Sequence, residues 1–229
     1  MNMALREPRR DLPRELVRAR LVVWDFDGVI KESVDVKARA FAALFEWAGR
    51  GVTAAVTAHH AAHGGMSRMD KIPLYLEMAG ETPTPARVNA LCQEFGRLVF
   101  QQVVDAPWVP GVEAYLRGNP LDQRFALVSA TPADELRRIL DALHLRGVFA
   151  EVHGAPTTKA SAVAQVLAAS GLEVADAVFI GDAQSDWLAA RAAGMPFVLR
   201  SHATNVEVFA GYGGPYLMEF PECLPARNT

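Results

Sequence analysis

The sequence predicts an α/β protein, a doubly wound parallel sheet with a helical cap inserted after its first strand. Continuous apolar runs at 21–24, 125–128, 177–180 and 196–199 have the length and the Val/Ile/Leu content of strands buried on both faces of a parallel sheet. Helical periodicity fills the intervals between the later runs, and strands alternating with helices of about a dozen residues make βαβ units. Between the first two runs lie roughly 70 residues of helical pattern with no strand among them, too many for one crossover. The expected division is therefore a core of residues 1–33 and 105–229 and a cap of residues 34–104.

Each element has its own local reason. The residues before Leu21 include six arginines and two prolines, which predicts a solvated leader, and they lack the apolar stretch of a secretory signal. The first apolar run ends in Asp25, Phe26, Asp27 and Gly28. Val34, Ala38, Phe41, Phe45 and Ala48 then share one helical face, and 72–78 predicts a second helix. Thr84-Pro85 opens a third, with Val88, Leu91, Phe95, Leu98 and Val99 on one side. The chain re-enters the sheet near 107–111, where Trp108 is expected to pack at the hinge. After the second run, Thr131-Pro132 reads as an N-cap followed by proline at the first helical position, ahead of Leu136, Ile139, Leu140 and Leu143. A weaker strand pattern occupies 149–152. A helix starts near Lys159 and carries Val163, Val166 and Leu167, and the run 177–180 then delivers Gly181, Asp182 and, one turn on, Asp186.

Bulk composition narrows the function. The 229 residues are 51% hydrophobic and 21% charged, enough apolar side chain for a core and too much for wholesale disorder. A net charge of -3 is far from the basic footprint of a nucleic-acid binder, and no window is apolar enough to span a bilayer. Nucleic acid and membrane are therefore not expected as partners. The two cysteines, Cys92 and Cys223, stand in no metal-ligand spacing, and such sparse use fits a reducing, cytoplasmic compartment. Monomer and homodimer are both open.

The chemistry gathers at the strand ends. Ligands of an open parallel sheet bind beyond the carboxyl ends of its strands. There the sequence places Asp25 and Asp27, Ser129 and Thr131, Asp182 and Asp186, with Lys159 between. Several acids in one crevice do not all ionise without a cation, and oxygen ligands favour Mg²⁺ over zinc or copper. One Lys and one Ser suit a phosphate, which is also drawn to a helix N-terminus.

This order of motifs resembles the haloacid dehalogenase-like (HAD) superfamily, with its Rossmann-like core. DxDGxx stands at Asp25, Asp27 and Gly28 through Ile30, a strand ending in Ser at Val128 and Ser129, the Lys at Lys159, and GDxxxD at Gly181, Asp182 and Asp186. The position of the cap is similar to the helical C1 type. Within it, residues 63–70 look like the specificity loop of the phosphoglycolate phosphatase and β-phosphoglucomutase branch. The resemblance implies a phosphatase of a small phosphorylated metabolite, a sugar or sugar-acid phosphate. Asp25 would be the nucleophile and Asp27 the acid and base. Ser129 and Lys159 would hold the phosphoryl group. Asp25, the backbone carbonyl of Asp27, and Asp182 would ligate Mg²⁺, with Asp186 behind them, and Arg68 and Lys71 would reach the substrate from the cap.

Two further activities compete. A β-phosphoglucomutase-like mutase uses the same residues, and a phosphoryl-accepting receiver module combines acids, Ser/Thr and Lys around Mg²⁺ but needs no cap. A dehalogenase has no need of a second acid at position 27. Lys31 either faces the mouth of the crevice or is solvated. Thr131 is expected to cap a helix rather than meet phosphate, and His59, His60 and His63 to lie at the surface or at a helix end rather than bind zinc.

Overall fold

The computed structural model describes residues 11–221; residues 1–10, half of the arginine-rich leader, and Cys223 lie outside the described residues. The described part of the leader packs. Helix α1 (Arg14–Arg18) buries Leu16, and the carbonyls of Leu16 and Ala19 accept from the amide of Gln123 at 2.7 and 2.8 Å.

Six parallel strands form one sheet, in the order β3-β2-β1-β4-β5-β6: β1 (Leu21–Trp24), β2 (Arg124–Pro132), β3 (Glu151–Ala155), β4 (Ala177–Gly181), β5 (Phe197–Arg200) and β6 (Tyr216–Leu217). Strand β1 lies between β2 and β4, with Trp24 level with Leu127 on one side and Ile180 on the other. Its side chains alternate between two apolar layers: Val22 and Trp24 join one, Leu21 and Val23 the other. Both faces being buried, the strand shows no polar alternation. Trp24 stacks on Phe220 at 5.4 Å and meets Phe125 edge-on, anchoring the sheet one residue before Asp25.

Four helices are inserted between β1 and β2: α2 (Val34–Leu44), α3 (Arg50–Ala62), α4 (Arg68–Met78) and α5 (Pro85–Asp105). Phe41 centres their packing, 4.2 Å from Phe95 and 5.3 Å from Tyr75 between ring centroids. Thr84 caps α5 by accepting from the backbone N–H of Arg87, with Pro85 at the first turn as expected. Helix α2 ends earlier than the apolar stripe predicts, because a 3₁₀ turn (Glu46–Ala48) and Gly49, at φ +89°, redirect the chain. Helix α3 is not predicted at all. Its residues are mostly alanine, threonine and histidine, and it buries only Val56 and His60, too few apolar residues to make a periodic signal.

Helix α6 (Val112–Gly118) leads back into β2, and α7 (Ala133–Ala142), α8 (Lys159–Ser170) and α9 (Gln184–Ala192) cover the sheet. Thr131 does not cap α7. It remains in β2, and α7 starts at Ala133, which frees the Thr131 hydroxyl for another role. Lys31 does not face the crevice either. It is buried, donates to the carbonyl of Val104 at 3.0 Å and lies over the Trp108 ring at 4.5 Å, pinning the exit of β1 to the end of α5. Among the described residues no helix is long and apolar enough to cross a membrane.

Candidate active site

The strand order brings the ends of β1, β2 and β4 side by side, so Asp25, Ser129 and Asp182 stand at one edge of the sheet. Asp25 extends β1 by one residue, its N–H donating to the carbonyl of Ile180 at 3.0 Å. Its carboxylate accepts from the N–H of Phe26 at 2.7 Å and from Lys159 Nζ at 2.9 Å. Lys159 is the first residue of α8, held there by the Thr158 cap, and its ammonium also donates to Asp186. Asp186, in the first turn of α9, accepts from the N–H of Ala183 at 3.0 Å. Ser129 is buried, and its Oγ accepts from the N–H of Thr131 at 3.2 Å.

Asp27 points elsewhere. It accepts from Ser33 Oγ at 2.7 Å and forms an ion pair with Lys37, whose Nζ also donates to Thr131 Oγ1 at 2.8 Å. Asp182 is met by His202, with Nε2 at 2.8 Å from Oδ2 and Thr204 at 2.8 Å on the other ring nitrogen. Asn205 ties the loop down by donating to the carbonyls of Asp182 and Arg200, each at 2.9 Å.

These surroundings set the charges. Burial, then the charge of Asp186, push the Asp25 carboxyl up to about 7 against the pull of Lys159. Burial also raises Asp182, partly offset by His202, and raises Asp186. Asp27 goes the other way: burial opposes its ionisation, but Lys37 and Ser33 outweigh it and hold the carboxyl below its ordinary range. Lys159 is held protonated by Asp186 and Asp25 despite its burial.

The donor set fits a divalent cation. Oxygens of Asp25, Asp182 and Asp186, all buried, lie within 4.8 Å of one another. One ammonium, Lys159, bonds two of these acids, so three carboxylates exceed the positive charge among them, and hard oxygen donors call for a hard ion. Asp186 also orients Lys159, the positioning role expected of it. Gly28 makes room beside these acids: at φ +74°, a Cβ there would come within 2.2 Å of Asp182 Oδ2.

The inserted helices close over this edge. A cavity of about 70 Å³ is lined from below by Asp25, Asp27, Thr131, Lys159 and Asp182, and from the cap by Phe41, His60, Arg68, Lys71 and Phe95. A wider space of about 540 Å³ adjoins it, sharing Gly65, Met66, Ala130 and Lys159. Gly65, at φ +74°, is a point of close approach, since a Cβ there would meet Ser185 Oγ at 2.1 Å and Lys159 Nζ at 3.2 Å. Arg68 forms a two-point ion pair with Glu135 on α7, one arm at 3.0 Å, and its guanidinium lies 4.6 Å from the Phe95 centroid. Lys71 is buried, with Nζ 2.9 Å from His60 Nδ1. His60 stands at a helix end, one of the two places expected, but it is a buried group of the cavity wall and not a surface histidine. His59 and His63 stack on each other at 4.1 Å, and His59 meets Tyr75.

Lys37, His60, Glu135 and His202 are site residues that the sequence does not single out. Lys37 had a signal: it lies on the apolar stripe of α2, three residues after Val34 and four before Phe41, where a cation needs a partner. His202 had none beyond its place after a strand end.

His60 sets an acid limit on stability. Burial, then the charge of Lys71, bring its pKa down from 6.5 to about 3. The unfolded chain therefore takes up a proton near pH 6.5 that the folded chain refuses, and stability falls as pH drops from 6.5 toward 3. His60→Gln removes the titration, and chemical denaturation at pH 7 and pH 5 is expected to show the variant gaining about 2 kcal/mol relative to the parent at the lower pH.

No curated protein matches the sequence. Solved structures do match in fold. A predicted phosphoglycolate phosphatase from Haemophilus somnus superposes with a TM-score of 0.69 at 18% identity, over 90% of this chain and 96% of that one. A β-phosphoglucomutase from Clostridium difficile gives 0.71 at 16%, over 90% and 93%. CbbY from Rhodobacter sphaeroides, in complex with xylulose-(1,5)bisphosphate, gives 0.70 at 16%, over 89% and 96%. The family model of the haloacid dehalogenase-like hydrolases matches residues 19–194. That stretch runs from the approach to β1, through the inserted helices, to the end of the helix carrying Asp186, so that the acids, Lys159 and the cap all fall within it: the chain belongs to the haloacid dehalogenase-like hydrolases.

Proposed function

We propose that this hydrolase is a Mg²⁺-dependent phosphatase of a small phosphorylated metabolite, a sugar or sugar-acid phosphate, working through an aspartyl-phosphate. The observation that carries the reading is Asp25 itself: a buried carboxylate 2.9 Å from Lys159, beside a second acid and at the floor of a capped cavity. Asp25, Asp182 and the carbonyl of Asp27 would hold the ion, with Asp186 adjoining. When bound, Mg²⁺ supplies positive charge to the phosphoryl oxygens.

The protein's own groups do the rest. Asp25 attacks phosphorus, the ester P–O bond breaks, and its electron pair leaves on the substrate oxygen. That oxygen takes a proton from the Asp27–Lys37 pair. Water then attacks phosphorus, gives a proton to Asp27, and the bond to Asp25 breaks. Lys159 and Ser129 hold the phosphoryl oxygens, and Lys159 meets the charge that develops there. Arg68 and Lys71 belong to the cap wall that faces the leaving portion. The closed cap limits water and substrate size alike. Membership of a hydrolase family and the inserted helices leave no support for the receiver-module alternative.

A panel of phosphomonoesters tests this. Phosphate release is expected with Mg²⁺ and not with a chelator. No turnover of any ester in Mg²⁺ would sink the reading, and conversion of a hexose 1-phosphate to the 6-phosphate without free phosphate would assign a mutase instead.

A further inference from the structure

The loop after β5 grips Asp182 at two points. His202 Nε2 lies 2.8 Å from Asp182 Oδ2, and Asn205 Nδ2 donates to the carbonyl of the same residue at 2.9 Å. The loop is itself held. Asn205 Oδ1 accepts from the N–H of His202 at 2.9 Å, and its Nδ2 also donates to the carbonyl of Arg200 at 2.9 Å. Thr204 Oγ1 stands 2.8 Å from His202 Nδ1. Arg200 makes a two-point ion pair with Glu32, one arm at 3.0 Å, on the segment that leads from β1 into α2. Asn205 and Arg200 are both buried, so the end of β5 is tied firmly to the ends of its neighbours. His202, Thr204 and Asn205 lie beyond residue 194, where the family match ends, and the family's motifs do not account for the grip.

A carboxylate only accepts, so Nε2 carries the proton that it shares with Oδ2. The backbone of Gly28 closes on the same oxygen, near enough that a Cβ there would come within 2.2 Å. Among the described residues the side chain of Asp182 has no other hydrogen bond. One of its oxygens is thus held by the protein and the other is left to meet an ion. A partner that orients a ligand in this way tunes metal affinity. Ions differ in what they ask of such a ligand. Mg²⁺ takes single oxygens in a strict octahedron, whereas Ca²⁺ is larger, takes six to eight oxygens and accepts both oxygens of one carboxylate.

Resting on the reading of Asp182 as a ligand of the ion, we propose that His202 is a positioning residue that confines Asp182 to one-oxygen ligation and so favours Mg²⁺ over Ca²⁺. Thr204 fixes the plane of the His202 ring, and Asn205 fixes the loop that carries it. His202 acts through Asp182 alone and touches neither substrate nor the transferred group.

Titration of the full-length protein with Mg²⁺ and with Ca²⁺ at one pH, read by the rise in melting temperature, gives the affinity for each ion without turnover. His202→Ala is expected to weaken Mg²⁺ binding by about ten-fold or more and Ca²⁺ binding by clearly less, so that the preference for Mg²⁺ falls. His202→Gln, whose amide nitrogen can take the place of Nε2, should restore most of it. Thr204→Val changes an exposed residue and leaves His202 in place, and it should shift the preference in the same direction by a smaller factor. Where His202→Ala does not fold, Thr204→Val decides, and a preference equal to the parent's overturns the proposal. Unchanged Mg²⁺ affinity in His202→Ala, an equal loss for both ions, or a His202→Gln variant no better than His202→Ala overturns it as well. A parent that binds neither ion removes the metal reading together with it. A selective loss of Mg²⁺ in a protein that hydrolyses no ester would leave the proposal standing and remove the phosphatase reading instead.

Discussion

Asp25→Asn is expected to abolish phosphate release, by roughly 10³-fold or more, while leaving the fold intact or strengthening it. The amide matches the carboxylate in shape but not in nucleophilicity, and a covalent route has no substitute for its nucleophile. The stability arm follows from charge. Burial and Asp186 push the folded carboxyl up to about 7 from an ordinary value of 3.8. Folding therefore loses stability as pH rises from 3.8 through 7, because the unfolded chain ionises this acid first. At pH 8 in chelator the parent carries that whole cost and the variant does not, so the variant should be the more stable by about 2 kcal/mol after allowing for the weakened Lys159 contact. Adding Mg²⁺ should then raise the melting temperature of the parent more than that of the variant. Retained turnover, or a clear fall in stability, would contradict the placement of Asp25 at the centre of the chemistry.

Lys159→Met should damage both activity and stability. Its ammonium is buried and bonded to Asp25 and Asp186. Removing one partner of such a group leaves uncompensated buried charge, at a cost of about 3–5 kcal/mol. In chelator the variant should melt far below the parent, and Mg²⁺ should recover part of the loss because it meets the same carboxylates. Under the proposed mechanism turnover should not recover, since the ion would not replace Lys159 as donor to the phosphoryl oxygens. Denaturation in chelator and in Mg²⁺, alongside phosphate release, reads both arms. A variant as stable as the parent in chelator would mean that the three acids do not depend on Lys159.

The sheet and its acids were legible because their signals are local. The runs 21–24 and 177–180 are short, apolar and end in carboxylates, and neighbouring strands turn those ends into one edge. The late start of α7 was hidden because Thr131-Pro132 suits an extended strand end as well as a helix entry. The partners of the acids were less visible for another reason. Lys37 is ten residues from Asp27 and Glu135 is 67 from Arg68, and such pairings exist only once α2 and α7 are packed. His60 lies in a helix of small residues whose burial depends on Phe41 and Tyr75 arriving from other helices. Lys71 could be picked from the cap loop by resemblance, but its burial against His60 is a property of the folded cavity alone.

Glu135 and Arg68 join the roof to the floor through a dry ion pair, directly beside Gly96, where a Cβ would come within 2.8 Å of the glutamate and 3.0 Å of the guanidinium. Such a pair surrenders nearly as much hydration as it gains in attraction. Any opening that rehydrated both ions would therefore cost little in electrostatics. The pair thus fixes how α4 lies over α7 more than it holds the two together.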